Sequence, residues 1–336
     1  MELRRIFVSA VLAGCLVSSG ICQLQNASAP TQTVCADMKK APVPAGDQPD
    51  SAQLKQMAGC DSKKLYYGIG EKADFIAARM CAYVQRANGS GVVFGGPAIL
   101  MMLYANGDGV SRNYTLAEKF ACEAGGAPAE IDGRIEHLEK LRQQHWTGKN
   151  FDLCDDITSG HMAGYCTLLQ SQMQAAKRES RLDAIVDAWS TAERQAFQPL
   201  QAASNRFINT RAEKEVDQSG TAGASFVIAE KTSLQNRFFA ALQTLQHGKL
   251  PRYSPEDLRR ADAELNAVFA KAEKPSTLRG TVTPRGIRQT EWAWIQYRDA
   301  WVTFGALKYP GVSADSWKTW LTKERIAMLQ KLTPPN

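Results

Sequence analysis

Three acids crowd one short stretch, FDLCDDITSGHMAGYC: Asp152, Asp155 and Asp156 stand beside Cys154, with His161 and Cys166 a few residues on. Paired carboxylates are the groups glycoside hydrolysis needs, one as acid and one as base or nucleophile. A histidine between two cysteines has the donor types of a metal site. Each has a plainer rival. Acids ahead of a helix complement its dipole, and cysteines at this spacing in an oxidising compartment pair with each other. The four histidines, His137, His145, His161 and His247, form no HExxH and no ligand pair at helical spacing, and no CxxC exists. GIGEK at Gly68 to Lys72 has no strand ahead of it and is no phosphate loop. The expectation is therefore no catalytic residue, no cofactor and no metal. The acids are kept as candidates for contacting a partner.

Aromatic chemistry concentrates in EWAWIQYRDAWVTF, Glu291 to Phe304. At 3.6 residues per turn, Trp294, Tyr297, Arg298 and Trp301 share one helix face, while Trp292 points elsewhere. Trp317 and Trp320 follow on a further helix. Sugar-stacking tryptophans would be exposed, but apolar helical spacing ordinarily reports burial, so Trp294 and Trp301 are expected in a core and Trp292 on the surface. Polar groups among such rings need partners. Asp262 and Asn266, Arg298 and Asp299, and Thr322 and Arg325 are expected to meet as a hydrogen-bonded network between three helices.

The elements that position these residues read as almost all α. Apolar residues recur at three and four spacings in FIAARMCAYV, LDAIVDAW and LRRADAELNAVFAKAEK, and strand-like alternation is scarce. Helix-turn-helix repeats followed by antiparallel helical bundle units are expected. In the tail, Ser254 with Asp257 caps a first helix bearing Leu258, Ala261, Leu265, Val268 and Phe269 on one face. Loops rich in Pro and Gly separate it from a second helix and from a third over residues 316–331.

Two resemblances follow from these patterns. DxxLNxxF (Asp262 to Phe269, with Leu265 and Asn266), RxxxxxWxxxRD (Arg288 to Asp299, with Trp294 and Arg298) and TxxRxxxL (Thr322 to Leu329, with Arg325) resemble, in order and spacing, the LprI-like family of exported bacterial proteins named after a lysozyme inhibitor. The match covers about the last 80 residues. The family's cysteine-bracketed opening is similar to the loop at Cys154 and Cys166, here about 90 residues upstream. Where members commonly place two further cysteines, this chain has Trp301 or Val302, and Trp317, so packing is expected to replace a disulfide. Upstream, LMMLYANGDGVSRNYTLAEKFACEAG (Leu100 to Gly125) is similar to the Sel-one-like helical repeat, with Gly107 and Gly109 in the turn and Ala117 and Ala121 at the helix contact. A degenerate copy runs from Lys64 to Ala82. Such repeats present surfaces to other proteins. Two units fall short of the number that usually stands alone, so a disulfide or neighbouring domain must seal them.

Cysteine spacing suggests the seal. Cys60 and Cys81 flank the degenerate unit, Cys154 and Cys166 bracket one loop, and Cys35 and Cys122 then remain, although six cysteines permit 15 arrangements. The N-terminal IFVSAVLAGCLVSSGIC after Arg4 and Arg5 reads as an export signal. Cleavage after Cys22 leaves an even set of six, which favours a periplasmic or secreted protein; LAGC at Leu12 to Cys15 keeps an outer-membrane lipoprotein as the alternative. The expected organisation is a signal peptide over 1–22, a flexible leader over 23–53, a Sel-one-like repeat region over 54–145, a disulfide-started helical unit over 146–250 and an LprI-like unit over 251–336.

Across 336 residues the formal charge is only +6, without a long basic run, which argues against nucleic acid as a partner. The last 86 residues carry 14 Lys and Arg against 9 Asp and Glu. The resemblance implies lysozyme as a protein partner. Animal-type lysozymes are also basic, so an acidic patch such as Asp152 to Asp156 would have to make that contact. The alternative is a non-catalytic envelope scaffold whose repeats recruit a partner and whose basic tail rests weakly on an anionic surface.

Overall fold

The computed structural model describes residues 26–89 and 93–333; the expected signal segment, with Cys15 and Cys22, lies outside them. Among the described residues there are thirteen α-helices and no strand, so the chain is all-α. It divides into two compact units, Met1–Thr158 and Ser159–Asn336. The expected divisions at 145 and 250 therefore do not coincide with the observed one at 158.

In the first unit, α1 (Ala29–Met38), α2 (Ser51–Gln56), α3 (Ser62–Tyr67), α4 (Phe75–Ala87), α5 (Gly96–Asn106), α6 (Tyr114–Glu123) and α7 (Pro128–Gln143) follow one another. Asp50, Asp61, Asp74 and Asn113 each cap a helix by accepting a backbone N–H, which satisfies donors the first turn leaves orphaned. The core is built on α5, GPAILMMLYAN, which is apolar all round and buried from Ala98 to Asn106. Against it pack α4 and α6, the latter through Leu116, Ala117, Phe120 and Ala121. Gly107 (φ +69°) and Gly109 (φ +63°) form the turn between α5 and α6 in the left-handed region that other residues resist. A side chain on Gly109 would also strike the backbone of Phe75.

The described part of the expected flexible leader, residues 26–53, departs from that expectation: it holds α1, the short helix α2 and a 3-10 turn at Ala45–Asp47. Cys35–Cys122 bonds α1 to α6, and Cys60–Cys81 ties the segment before α3 to α4. Cys154 and Cys166 are disulfide-bonded as well.

The second unit comprises α8 (Gly160–Asp187), α9 (Thr191–Lys214), α10 (Gly223–Gln246), α11 (Pro255–Ala272), α12 (Pro284–Lys308) and α13 (Ala314–Leu332). The capping box of Ser254 and Asp257 opens α11 as expected. The three tail helices do not stand apart: α12 packs most extensively against α9, while α11 packs on α13 and α8 on α10. Residues 177–246, which lie between the cysteine-bracketed loop and the tail, thus supply eight of the twenty buried residues in the two clusters of this core. One cluster gathers Phe207, Ile208, Leu265, Trp294 and Leu329; the other gathers Trp189, Phe197, Leu242, Trp301, Phe304 and Trp317. Trp301 and Trp317 stack 5.9 Å apart at 12°. Gly305 makes room for this pair, since a methyl group there would fall on the Trp317 ring.

Candidate functional site

The acids of the opening stretch are held by their own surroundings. Asp152 accepts from the Tyr67 hydroxyl at 2.7 Å and from the Cys154 amide at 2.8 Å. The Asp155 carboxylate accepts the Asp152 amide at 2.8 Å, closing a capping box on the 3-10 turn Leu153–Asp156. Asp156 lies 3.0 Å from Nδ1 of His137 on α7. Next to them, Asn106 holds the Phe151 backbone by both its N–H and its C=O. These contacts lock a loop onto α3, α5 and α7. Of the three acids only Asp155 is exposed, Asp152 and Asp156 being half-buried, which leaves little acidic surface to offer a partner.

The tryptophans expected in a core are there. Trp294 is 2% exposed and Trp301 and Trp317 are wholly buried, so they offer no face to a sugar. Of the motif residues, Leu265, Thr322 and Arg325 are also buried, Asp262 is half-buried and Asn266 is exposed.

The expected polar network is differently composed. Arg325, fully buried, donates to Glu215 at 2.9 and 2.6 Å and to Glu291 at 2.8 Å. Arg211 lies 3.4 Å from the same Glu215 and pairs with Glu230. Burial by itself would lower the Arg325 guanidinium; the two glutamates reverse this and hold it above its ordinary value. Burial lowers Arg211 to about 10 and raises Glu291. Arg298 and Asp299 instead pair with each other at 2.9 Å at the surface, with the guanidinium 5.2 Å from the Trp294 ring centre. Asp262 and Asn266 take no part. The reason is geometric: Glu215 arrives from the end of α9, 110 residues upstream of Arg325.

Trp292 marks a different kind of place. It is 68% exposed on α12 and lies in a shallow groove with Ala293, Arg285 and Arg288 of its own helix and Arg206, Thr210 and Lys214 of α9. The two helices run antiparallel: Arg206 donates to Gln296 at 2.7 Å at one end, and Gly286 meets the Lys214 backbone at the other. On α9 the residues are spaced by four, so all three point into the groove. Arg288 pairs with Glu273 at 2.9 Å, whereas Lys214 and Arg285 have no carboxylate within ion-pair distance among the described residues. Four cations thus flank one exposed indole, with a single carboxylate beside them. Sequence reading singled out Trp292 but missed Arg206, Lys214 and Arg285. Their signal was the spacing of four along RFINTRAEK together with its partner helix, which no local pattern reveals.

Among the described residues no group of three or more His, Cys, Asp or Glu is placed to hold a metal ion, and no helix is long and apolar enough to cross a membrane. Compared with protein-family models, with curated proteins and with solved structures, the chain matches none.

Proposed function

We propose that this chain is an exported binding protein, working without catalysis, that rests the α9–α12 face of its second unit on an anionic envelope surface, with phospholipid headgroups as the contacting groups. The observation that carries this is the exposed Trp292 ringed by Arg206, Lys214, Arg285 and Arg288. An indole sits favourably at headgroup depth, and cations beside it add about 1 kcal/mol each near an anionic surface. The disulfides are compatible with an oxidising, non-cytoplasmic compartment. The helical hairpins of the first unit would then face a protein partner, as helical repeats do.

Cosedimentation with vesicles tests this. Binding to phosphatidylglycerol but not to phosphatidylcholine vesicles, with a blue-shifted and strengthened indole emission lost in Trp292→Ala, supports it. Equal partition to both, or to neither, refutes it.

The LprI-like resemblance supports a second reading, inhibition of lysozyme by direct binding. Its favouring observation is that Leu265, Trp294 and Leu329, one from each motif piece, share one core cluster. Against it stand the basic character of the groove and the engagement of Asp152 and Asp156. Dose-dependent protection of bacterial cell walls from lysozyme, with direct binding, would favour it; no protection at any salt concentration would count against it.

A further inference from the structure

A second concave surface in the same unit shares no residue with the Trp292 face. It is a half-open groove of ≈ 620 Å³ between α10, the turn after it and α13. Its apolar wall is made by Ala240, Ala241 and Leu245 on α10, Leu250 and Pro251 in the turn, and the half-buried ring of Trp320, with the Thr244 hydroxyl beside them. The turn is fixed in place. Tyr253 donates its N–H to Ser316 Oγ at 3.0 Å, the same hydroxyl donates to the Tyr253 carbonyl at 3.1 Å, and Lys323 Nζ sits 4.5 Å from the Tyr253 ring centre.

Charge enters the lining through Arg237, Lys249 and Arg252, with Glu324 as the one carboxylate beside them. None of these three cations has an ion-pair partner within reach among the described residues. At Arg237, Ala241, Trp320 and Glu324 the groove meets a narrower apolar cleft that runs inward beneath Phe238 to Tyr297 and Met328. An inorganic anion would have no use for the apolar walls, and a neutral apolar molecule none for three unpaired cations. A molecule with both an alkyl chain and an anionic head satisfies the two together.

We propose that this groove binds a single-chain anionic amphiphile, its chain along Ala240, Ala241 and Trp320 and its carboxylate or phosphate head at Arg237, Lys249 and Arg252. The site is distinct from the envelope-contact face, and either can fail without the other.

The test is fluorescence titration of the full mature chain with a dansylated undecanoic acid, followed by competition with dodecanoate, dodecyl phosphate, dodecanol and inorganic phosphate. Saturable one-to-one binding below the micellar concentration is expected, displaced by both anionic amphiphiles but not by inorganic phosphate. The tighter of these two competitors identifies the preferred head, carboxylate or phosphate. Ala240 is an exposed helical position, so Ala240→Trp fills the groove without touching the core and should weaken binding at least about tenfold at an unchanged melting temperature. Lys249→Glu with Arg252→Glu should weaken the anions about tenfold while leaving dodecanol nearly unaffected. Absence of saturable binding, or unchanged affinity in Ala240→Trp, would overturn the proposal.

Discussion

Arg325 and Arg298 belong to the same sequence pattern yet sit in opposite environments, and the difference decides what each contributes. Arg325 is sealed between two glutamates; Arg325→Met leaves the half-buried Glu291 without its cation and the buried Glu215 with Arg211 alone, and should cost about 3–5 kcal/mol. Arg298 is half-buried over Trp294 and pairs with the exposed Asp299, so Arg298→Ala should cost about 1 kcal/mol, well below the loss at Arg325. Urea unfolding of both variants checks this, and a larger loss at Arg298 would contradict it. A second buried acid has the opposite character. Glu118 on α6 is 1% exposed, both its oxygens lack hydrogen bonds, and the closest cation, Arg142, is 3.8 Å away with Glu139 nearby. Burial raises its pKa. The folded carboxyl therefore keeps its proton to higher pH than the unfolded one, and its ionisation costs stability as pH rises above the ordinary carboxylate range. Glu118→Gln should melt with the parent chain near about pH 4 and above it near about pH 8; an equal gap at both would sink the assignment. The burial of Trp294 and Trp301 was legible in the sequence because period 3.6 is a local property. The partners of Arg325 were not, because ion pairing across 110 residues leaves no local trace.

At the scale of elements, the turn glycines were legible because a left-handed backbone is a local cause, whereas an even cysteine count suggested disulfides and left their pairing, Cys35–Cys122 above all, open among 15 arrangements. Helix α1 escaped notice. Its buried residues are Thr31 and Cys35, a stripe too narrow to register as periodicity in a segment rich in Ala and Pro. What holds α1 is the Cys35–Cys122 bond, Lys119 Nζ donating to the Lys39 carbonyl at 2.6 Å, and Ser28 on Asp132 at 2.9 Å. Closing an 87-residue loop contributes about 4–5 kcal/mol in the chain-entropy account, against about 3 for the 21-residue loop of Cys60–Cys81. With Cys35→Ser and Cys122→Ser together, amides of α1 should exchange within seconds while those of α5 stay protected. Continued protection of α1 would mean that packing, not the bond, retains it. The tail read as a separate unit for a related reason: its capping box, loops and heptad-like spacings are all local, whereas the packing of α12 on α9 is not.

For the whole molecule the charge is modest, and what matters is where it is left unpaired. The +6 of the chain reads in the sequence as a weak preference for anions. The fold sharpens it by placing Lys214 and Arg285, without carboxylate partners, beside an exposed tryptophan, while spending the acids of residues 152–156 on a loop of the other unit. That placement favours an anionic surface over a basic protein. The decisive measurement is the affinity of the full mature chain for phosphatidylglycerol vesicles across a salt series, beside that of Arg206→Glu with Arg285→Glu. Both positions are exposed and outside the core, so folding should be unaffected. If the α9–α12 face makes the contact, affinity falls steeply with salt in the parent chain, and the double variant binds at least about a hundredfold more weakly at low salt. Equal affinity and equal salt dependence in the two proteins would contradict it.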